Sequence, residues 1–514
     1  MNGAESLVRT LAAGGVEVCF ANPGTSEMQF VDALDRTRLL RCVLGLFEGV
    51  VTGAADGYAR MAGKPAVTLL HLAPGLANGA ANLHNARKAR TAMVNLVGEH
   101  ATYHKAYDAP LTADIEGTAA PFSDFVRTAR TAAGLGADGA EALAAAMSAP
   151  GRIATLIAPS DTGWDEGGEV AEPVAPQGPS PYDEAALDAA AEALAGPEPC
   201  VIIAGGSVLE APELTGLLMG IAERTGARLW SPSSNRRIER GRGRANFPKV
   251  PFPVDVAREK LAGARHAILI EARQPVAFFA YPGKPSLLLP DDCARIAVAD
   301  FHQDGPSAVR ALADRLGVEG PHVVDAPRPE DPRAGPIDYA ALGAAVAAAL
   351  PEDAIVVDEG VTAGRGIYAA TVGSPPMSWI AITGGSIGNG PPLAAGAAVA
   401  CPDRPVVALQ ADGSAMYTIQ ALWTQARENL NVTTVVFANG TYEILKQELT
   451  RVGANPGRSA LDMLEINRPQ LDFVDIARGM GVPGRKVDCA AELAQAIRDA
   501  VAEPGPSVIE ATLA

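Results

Sequence analysis

An acid and an amide set 27 residues apart carry the first chemistry that the sequence suggests. The apolar run "VVALQA" ends at Asp412-Gly413-Ser414, and the run "TTVVFA" ends at Asn439-Gly440-Thr441. Asp-Gly and Asn-Gly are ordinary turn dipeptides, and either one alone reads as punctuation. At the tips of adjacent parallel strands, one crossover apart, the two side chains instead emerge on the same sheet edge, where such sheets bind ligands. With the Thr441 carbonyl just beyond, they make a hard oxygen site suited to Mg²⁺ bound together with a diphosphate. Gly413 and Ser414 are expected to open a helix, "SAMYTIQALWTQARE", whose N-terminus favours that anion. No GxxxxGK[ST] stretch supplies another phosphate loop.

Such tips require parallel strands, and the sequence supplies them. "RIATLIAP", "CVIIAGG", "HAILIEA", "AIVVDEG", "PVVALQAD" and "VTTVVFANG" are short apolar runs separated by Ala-rich helical stretches. Runs apolar on both faces imply sheets covered on both sides. Two stretches rich in Pro, Gly and acid, 164–184 and 319–338, read as linkers. At 514 residues the chain exceeds one ordinary core. The expectation is an α/β protein of three doubly wound parallel-sheet domains in series, spanning 1–163, 185–318 and 339–514.

Composition limits the partners. A formal net charge of −17 opposes contact with phosphate backbones and anionic lipid, so neither nucleic acid nor membrane is expected. The basic stretch "NRRIERGRGR" is interrupted by Glu239 and has no aromatic platform. Six scattered cysteines without a CxxC spacing read as reduced thiols of a cytoplasmic protein. No secretory signal pattern is expected at the start, and no uncharged apolar stretch reaches the roughly 18 residues of a membrane helix.

Asp-Gly-Ser followed by Asn-Gly-Thr resembles the thiamine-diphosphate motif of the pyruvate oxidase and decarboxylase superfamily, with Ala411 and Ala438 where the family usually has Gly and Asn. The likeness covers almost the whole chain and is greatest to the benzoylformate decarboxylases and the acetolactate synthase large-subunit homologues. It implies that the three domains are pyrimidine-binding, central and diphosphate-binding. It also implies that Asp412, Asn439 and the Thr441 carbonyl hold Mg²⁺. Gly413, Ser414, Tyr442 and Thr362, the last in "VVDEGVTAGRG", would contact thiamine diphosphate. In "ITGGSIGNGPP", Ile387 would wedge the bent cofactor and the Gly385 carbonyl would accept its exocyclic amine. Glu48, in "LGLFEGVVTGAADGYARMAGKP", takes the place of the acid that protonates the aminopyrimidine ring. The helix dipole alone favours a Glu there. Flanked by Leu46, Phe47, Val50 and Val51, its carboxyl should be desolvated with a raised pKa, which suits a proton donor. Thr25 and His71 fall on substrate-facing positions, His71 as a proton shuttle.

Other positions depart from the family. Its second histidine aligns near Phe278, and His100 and His104 in "GEHATYHKAYDAP" are the remaining candidates. In the pocket-shaping stretch after the metal motif, Ile444 and Leu445 suggest an apolar wall, while Glu443 and Glu448 have no evident role. Gly205 and Gly206 lack a full GxGxxG, so FAD is not expected. The resemblance implies a decarboxylase or carboligase acting on a small 2-oxo acid, with an aldehyde or keto acceptor in the second case. An acetolactate-synthase-type carboligase is the alternative, and a cofactor-binding but non-catalytic regulatory or scaffold subunit is a third reading. The intact set of Glu48, Asp412, Asn439 and Ile387 stands against that third reading. Because Glu48 of one subunit would meet Asp412 of another, a homodimer or homotetramer is expected.

Overall fold

A computed structural model describes residues 1–514. Seventeen strands form three sheets. The first holds β1 (Val18–Asn22), β2 (Arg41–Leu44), β3 (Ala66–Leu70), β4 (Met93–Glu99), β5 (Phe125–Thr128) and β6 (Ile153–Pro159) in the order β2-β1-β3-β4-β6-β5. The middle sheet holds β7 (Cys200–Ala204), β8 (Arg228–Trp230), β10 (His266–Ile270) and β11 (Ala294–Ala299), ordered β11-β10-β7-β8. The third contains β12 (Ile355–Glu359), β13 (Met377–Ala381), β14 (Val406–Ala411), β15 (Val432–Ala438), β16 (Gly484–Val487) and β17 (Ser507–Thr512). Its order is β16-β17-β15-β14-β12-β13-β9, where β9 (Ile238–Arg240) is an antiparallel edge strand lent by the middle segment. All other pairings are parallel. Strands such as β3, β4, β7 and β15 are buried at every position, as sheets covered by helices on both faces require.

Each sheet reverses direction at one strand. Successive strands leave β1, β7 and β12 on opposite sides, so each sheet has a crevice at the carboxyl ends of these strands. Thr25 and His71 lie at the first crevice, and Thr362 and Asp412 at the third.

The first and third units share a core. The helix Glu48–Ala62 packs on the helix Gly390–Ala400 at backbone contact distance, since a Cβ added at Gly396 would lie 1.8 Å from the Ala54 carbonyl oxygen. Beneath them Arg60 and Asp56, both fully buried, form an ion pair at 2.5 Å, and Arg60 Nη1 donates to the Ala381 carbonyl at 2.7 Å. The basic stretch is internal wiring. Arg236 pairs with Glu210 at 2.7 Å, Arg237 and Arg244 pair with Glu239, and Arg240 donates to the Tyr368 carbonyl at 2.6 Å. All six cysteines are free, and no helix is long and apolar enough to cross a membrane.

One expected element is broken. The helix anticipated from Ser414 onward is a single turn, Asp412–Ala415, followed by an interruption and then the helix Ala421–Arg427. The β-branched Thr418 and Ile419 weaken the helix, and Thr418 Oγ1 donates to the Gly388 carbonyl at 2.8 Å, holding that residue to a neighbouring loop.

Candidate active site

Parallel pairing of β14 with β15 sets Ala411 opposite Phe437, so Asp412 and Asn439 follow at the same edge. Asp412 Oδ2 accepts from the backbone N–H groups of Asn439 (2.9 Å) and Gly440 (2.7 Å), and Oδ1 from that of Gly413 (2.8 Å). Asn439 Oδ1 accepts from the Thr441 N–H at 3.0 Å. The two tips are thus knitted into one loop pair. Burial pushes the Asp412 carboxyl above the usual carboxylate range, against the pull of these N–H groups. A cation would offset that desolvation. No cluster of three His, Cys, Asp or Glu side chains exists in the chain, so such a cation would rest on one acid, one amide and a carbonyl, with the remaining oxygens supplied by its ligand and water.

The surroundings fit a diphosphate. Thr362 Oγ1 is buried without a hydrogen-bond partner beside this edge, an open donor of the kind a phosphate oxygen satisfies. Gly413 and Ser414 lie in the one-turn helix, and Tyr442 packs its ring on Gly413, 2.4 Å from where a Cβ would stand. Val361, just before Thr362, has φ +48°, an unusual value for a β-branched residue and a local strain of the kind found at ligand sites.

The loop bearing Gly385 and Ile387 is gripped by the N-terminal unit. Asn85 donates from Nδ2 to the Ser386 carbonyl at 2.7 Å and accepts on Oδ1 from the N–H groups of Gly384 (3.1 Å) and Ser386 (3.3 Å). Asn82 Nδ2 donates to the Gly388 carbonyl at 3.2 Å. At the loop's other end Glu359 accepts from the N–H groups of Gly388 and Gly390, both 2.7 Å, and of Asn389, 3.2 Å. Burial pushes this carboxyl up to about 7 despite those bonds and one from Gln410.

In the first unit, Glu48 opens its helix and is only 8% exposed, its Oε2 accepting from Asn78 Nδ2 at 3.0 Å. The burial expected of it is present. His71 directly follows β3 and is 22% exposed, its Nδ1 standing 2.8 Å from Oε2 of the fully buried Glu27. Glu27 also accepts from the Gly24 N–H at 2.7 Å, and burial raises its pKa against the lowering pull of His71. Gly24 leaves room for the imidazole, since a Cβ there would lie 2.1 Å from Nδ1. Thr25 is the next residue, so the first-unit loop brings Thr25, His71 and Glu27 together. A Cβ added at Gly75 would lie 3.0 Å from Glu48 Oε1 and 3.3 Å from His71 Cβ, which places the acid and the imidazole as neighbours.

The remaining candidates separate. His100 and His104 stack edge-on at 5.5 Å on the loop after β4, and neither hydrogen-bonds to His71 or Glu48. Phe278, 48% exposed, reaches from the middle segment to the loop of Gly385, its Cζ standing 2.7 Å from a Cβ added at that residue. The helix Glu443–Arg451 carries Glu443, Ile444 and Leu445 and has no buried residue. Leu445 is exposed and Ile444 half-buried, so within one chain these two build only an open wall. Glu448 has a clear structural role, accepting from the Tyr281 hydroxyl at 2.8 Å and pairing with Arg451.

Glu27, Asn78, Asn85 and Glu359 are functional candidates that motif reading passed over. Glu359 had a signal of the same kind as Asp412, an acid at a strand tip in "VVDEG". The other three depend on partners up to 301 residues away.

The chain is similar to known proteins along its whole length. The profile described as "Thiamine pyrophosphate enzyme, N-terminal TPP binding domain" matches residues 1–118, and that described as "Thiamine pyrophosphate enzyme, C-terminal TPP binding domain" matches 366–511. A Mycobacterium tuberculosis protein provisionally named acetolactate synthase large subunit IlvX is 51% identical over 99% of this chain and 98% of its own. Benzoylformate decarboxylase of Pseudomonas aeruginosa is 29% identical over 96% of each chain. The fold also matches the solved structure of a thiamine diphosphate-dependent 4-hydroxybenzoylformate decarboxylase from Rhodococcus jostii, with TM-score 0.85, 24% identity and coverage of 100% of this chain and 99% of that one. With both cofactor-binding halves matched and a relative half identical along its length, the chain belongs to the thiamine pyrophosphate enzyme family.

Proposed function

We propose that the chain is a thiamine diphosphate- and Mg²⁺-dependent enzyme that decarboxylates a small 2-oxo acid in the manner of benzoylformate decarboxylase. The observation that carries this is the joint presence of two half-sites, Asp412 and Asn439 knitted at one sheet edge and Glu48 buried beside His71 at another. Thiamine diphosphate, when bound, supplies the carbanion that adds to the keto carbon and takes up the electron pair released with CO₂.

The residues of the chain supply the rest. Asp412, Asn439 and the Thr441 carbonyl would hold the cation, and Thr362 the diphosphate. Asn85 and Glu359 fix the loop of Gly385 and Ile387 from both ends. Glu48, oriented by Asn78, stands in a water-poor position from which its carboxyl would exchange a proton with the aminopyrimidine ring. Glu27 orients the His71 ring through Nδ1 and thereby presents Nε2 for proton exchange with substrate, the same division of labour as in other acid-oriented histidines.

A second reading is carboligation of the acetolactate synthase type. Phe278 favours it, because a side chain with no exchangeable proton stands beside Gly385, so this position would offer no proton donor to compete with an acceptor aldehyde or keto acid. Thermal unfolding of metal-stripped protein with and without thiamine diphosphate and Mg²⁺, followed by CO₂ release from aliphatic and aromatic 2-oxo acids, tests the class. A cofactor-dependent rise in midpoint with CO₂ release is expected. No rise would overturn the reading. Products formed with and without an acceptor aldehyde then separate the two reactions.

A further inference from the structure

The middle sheet has a crevice of its own. Where β8 and β10 leave β7 on opposite sides, a cavity of about 670 Å³ opens at the carboxyl ends of the strands, the position at which sheets of this topology bind ligands. None of the residues assigned to cation or diphosphate borders it. Arg90, at the left-handed end of the helix Leu72–Ala89, lays its guanidinium over the Phe301 ring, 3.1 Å from the centroid. Arg273 reaches in from the rim on the loop after β10. Neither guanidinium has a hydrogen-bond or ion-pair partner, although acidic residues outnumber basic ones by 59 to 42 in this chain. The neighbouring Arg236 is paired with Glu210. Burial first, and then the proximity of Arg273, push Arg90 down to about 10, although the carboxylates of Asp300 and Glu271 pull the other way from beyond ion-pair distance. In the same wall Gln274 Oε1 is buried with no donor.

The size of the occupant is limited by Glu271. This residue ends the β10 turn at φ +46° and folds its carboxylate onto the Ser207 N–H (2.6 Å) and hydroxyl (2.8 Å). A Cβ at Gly206 would lie 2.1 Å from one of its oxygens, and one at Gly305, the first residue of the helix Gly305–Arg315, 2.3 Å from the other. The amides and helix start that would cradle the diphosphate of a dinucleotide are already taken by an internal carboxylate.

We infer that this crevice is a second ligand site, separate from the cofactor site, in which Arg90 and Arg273 bind a compact organic anion bearing a hydrogen-bond donor, its head group a carboxylate or a phosphate monoester. The guanidinium forks hold the anion and Gln274 accepts from the donor. Phe278 and Thr383 border the same cavity, so the bound anion lies next to the Gly384–Gly385 turn of the candidate active site.

The test uses protein saturated with thiamine diphosphate and Mg²⁺, so that the diphosphate position is filled. Thermal midpoints are followed against inorganic phosphate, succinate and FAD. Phosphate or succinate is expected to raise the midpoint saturably below about 10 mM, and whichever does so names the head group. Arg273→Gln and Arg90→Gln should each weaken that response about tenfold or more, the worth of a charge-assisted hydrogen bond. Arg273→Gln should leave the anion-free midpoint unchanged or higher, because it breaks no bond and relieves a repulsion. The inference is overturned if neither compact anion gives a saturable rise, if the rise survives both substitutions, or if FAD stabilises the protein and the small anions do not.

Discussion

Glu48 is kept from water by the same feature that aims it. Its helix starts at the acid itself, after Phe47, and Asn78 from the next helix takes one carboxyl oxygen. Glu48→Gln keeps that contact and the local packing, so cofactor-induced stabilisation should persist while turnover falls by about 10² to 10⁴. Undiminished turnover in that variant would remove Glu48 from the mechanism. Asp412→Ala acts differently, since three backbone N–H groups lose their acceptor and the proposed cation would lose its only acid. The expected outcome is loss of the midpoint rise with thiamine diphosphate and Mg²⁺, measured on the same instrument. Asp412, Asn439 and Glu48 were legible in the sequence because each marks a strand tip or helix start, where one residue's type is set by local geometry. Glu27 was not legible. Its meaning depends on His71, 44 residues further on, and only the folded sheet puts the two 2.8 Å apart.

At the scale of elements, the contact between the helices Glu48–Ala62 and Gly390–Ala400 decides how rigidly the two half-sites are mounted. Gly396→Ala would drive a methyl to 1.8 Å from the Ala54 carbonyl oxygen, so the helices must part. Overpacking of this kind costs about 1–3 kcal/mol, and a lower urea midpoint should accompany weaker cofactor binding. The second helix is capped from outside, since Glu359 on β12 accepts from the N–H of its first residue, Gly390, and from those of Gly388 and Asn389 just before it. The Glu359 carboxyl is raised from an ordinary 4.5 to about 7, so the folded state favours its protonated form. Its contribution is full below about pH 4.5 and is lost as pH climbs through about 7. Midpoints measured from pH 5 to 8 should therefore fall more steeply in the native protein than in Glu359→Gln, and parallel curves would refute the assignment. The six strands β6, β7, β10, β12, β14 and β15 were readable from apolar runs alone. The helix after Ser414 was misjudged because a tertiary bond, Thr418 to Gly388, overrides local preference, and β9 is too short, at three residues, to leave a pattern.

In the whole molecule the two half-sites belong to different edges, and no hydrogen bond joins Glu48 or His71 to Asp412 or Asn439. Both edges expose large apolar side chains, Leu46 and Tyr107 on the first unit and Met416 and Tyr417 just past Asp412. Apolar groups exposed beside functional residues are what a second copy of the chain would cover. A two-fold pair would bring Glu48 of each subunit to Asp412 of its partner, an isologous arrangement that completes two sites at once. This makes a quantitative expectation for mixing two inactive variants. If Glu48→Gln and Asp412→Ala chains are unfolded or dissociated together and reassembled in equal amounts, about half of the pairs are mixed, and each mixed pair contains one doubly damaged site and one undamaged site. Activity should return to about a quarter of that of the native protein, with each variant alone remaining inactive. Were Glu48 and Asp412 to act within a single chain, every site in the mixture would still carry one of the two lesions, and no activity would return at any mixing ratio.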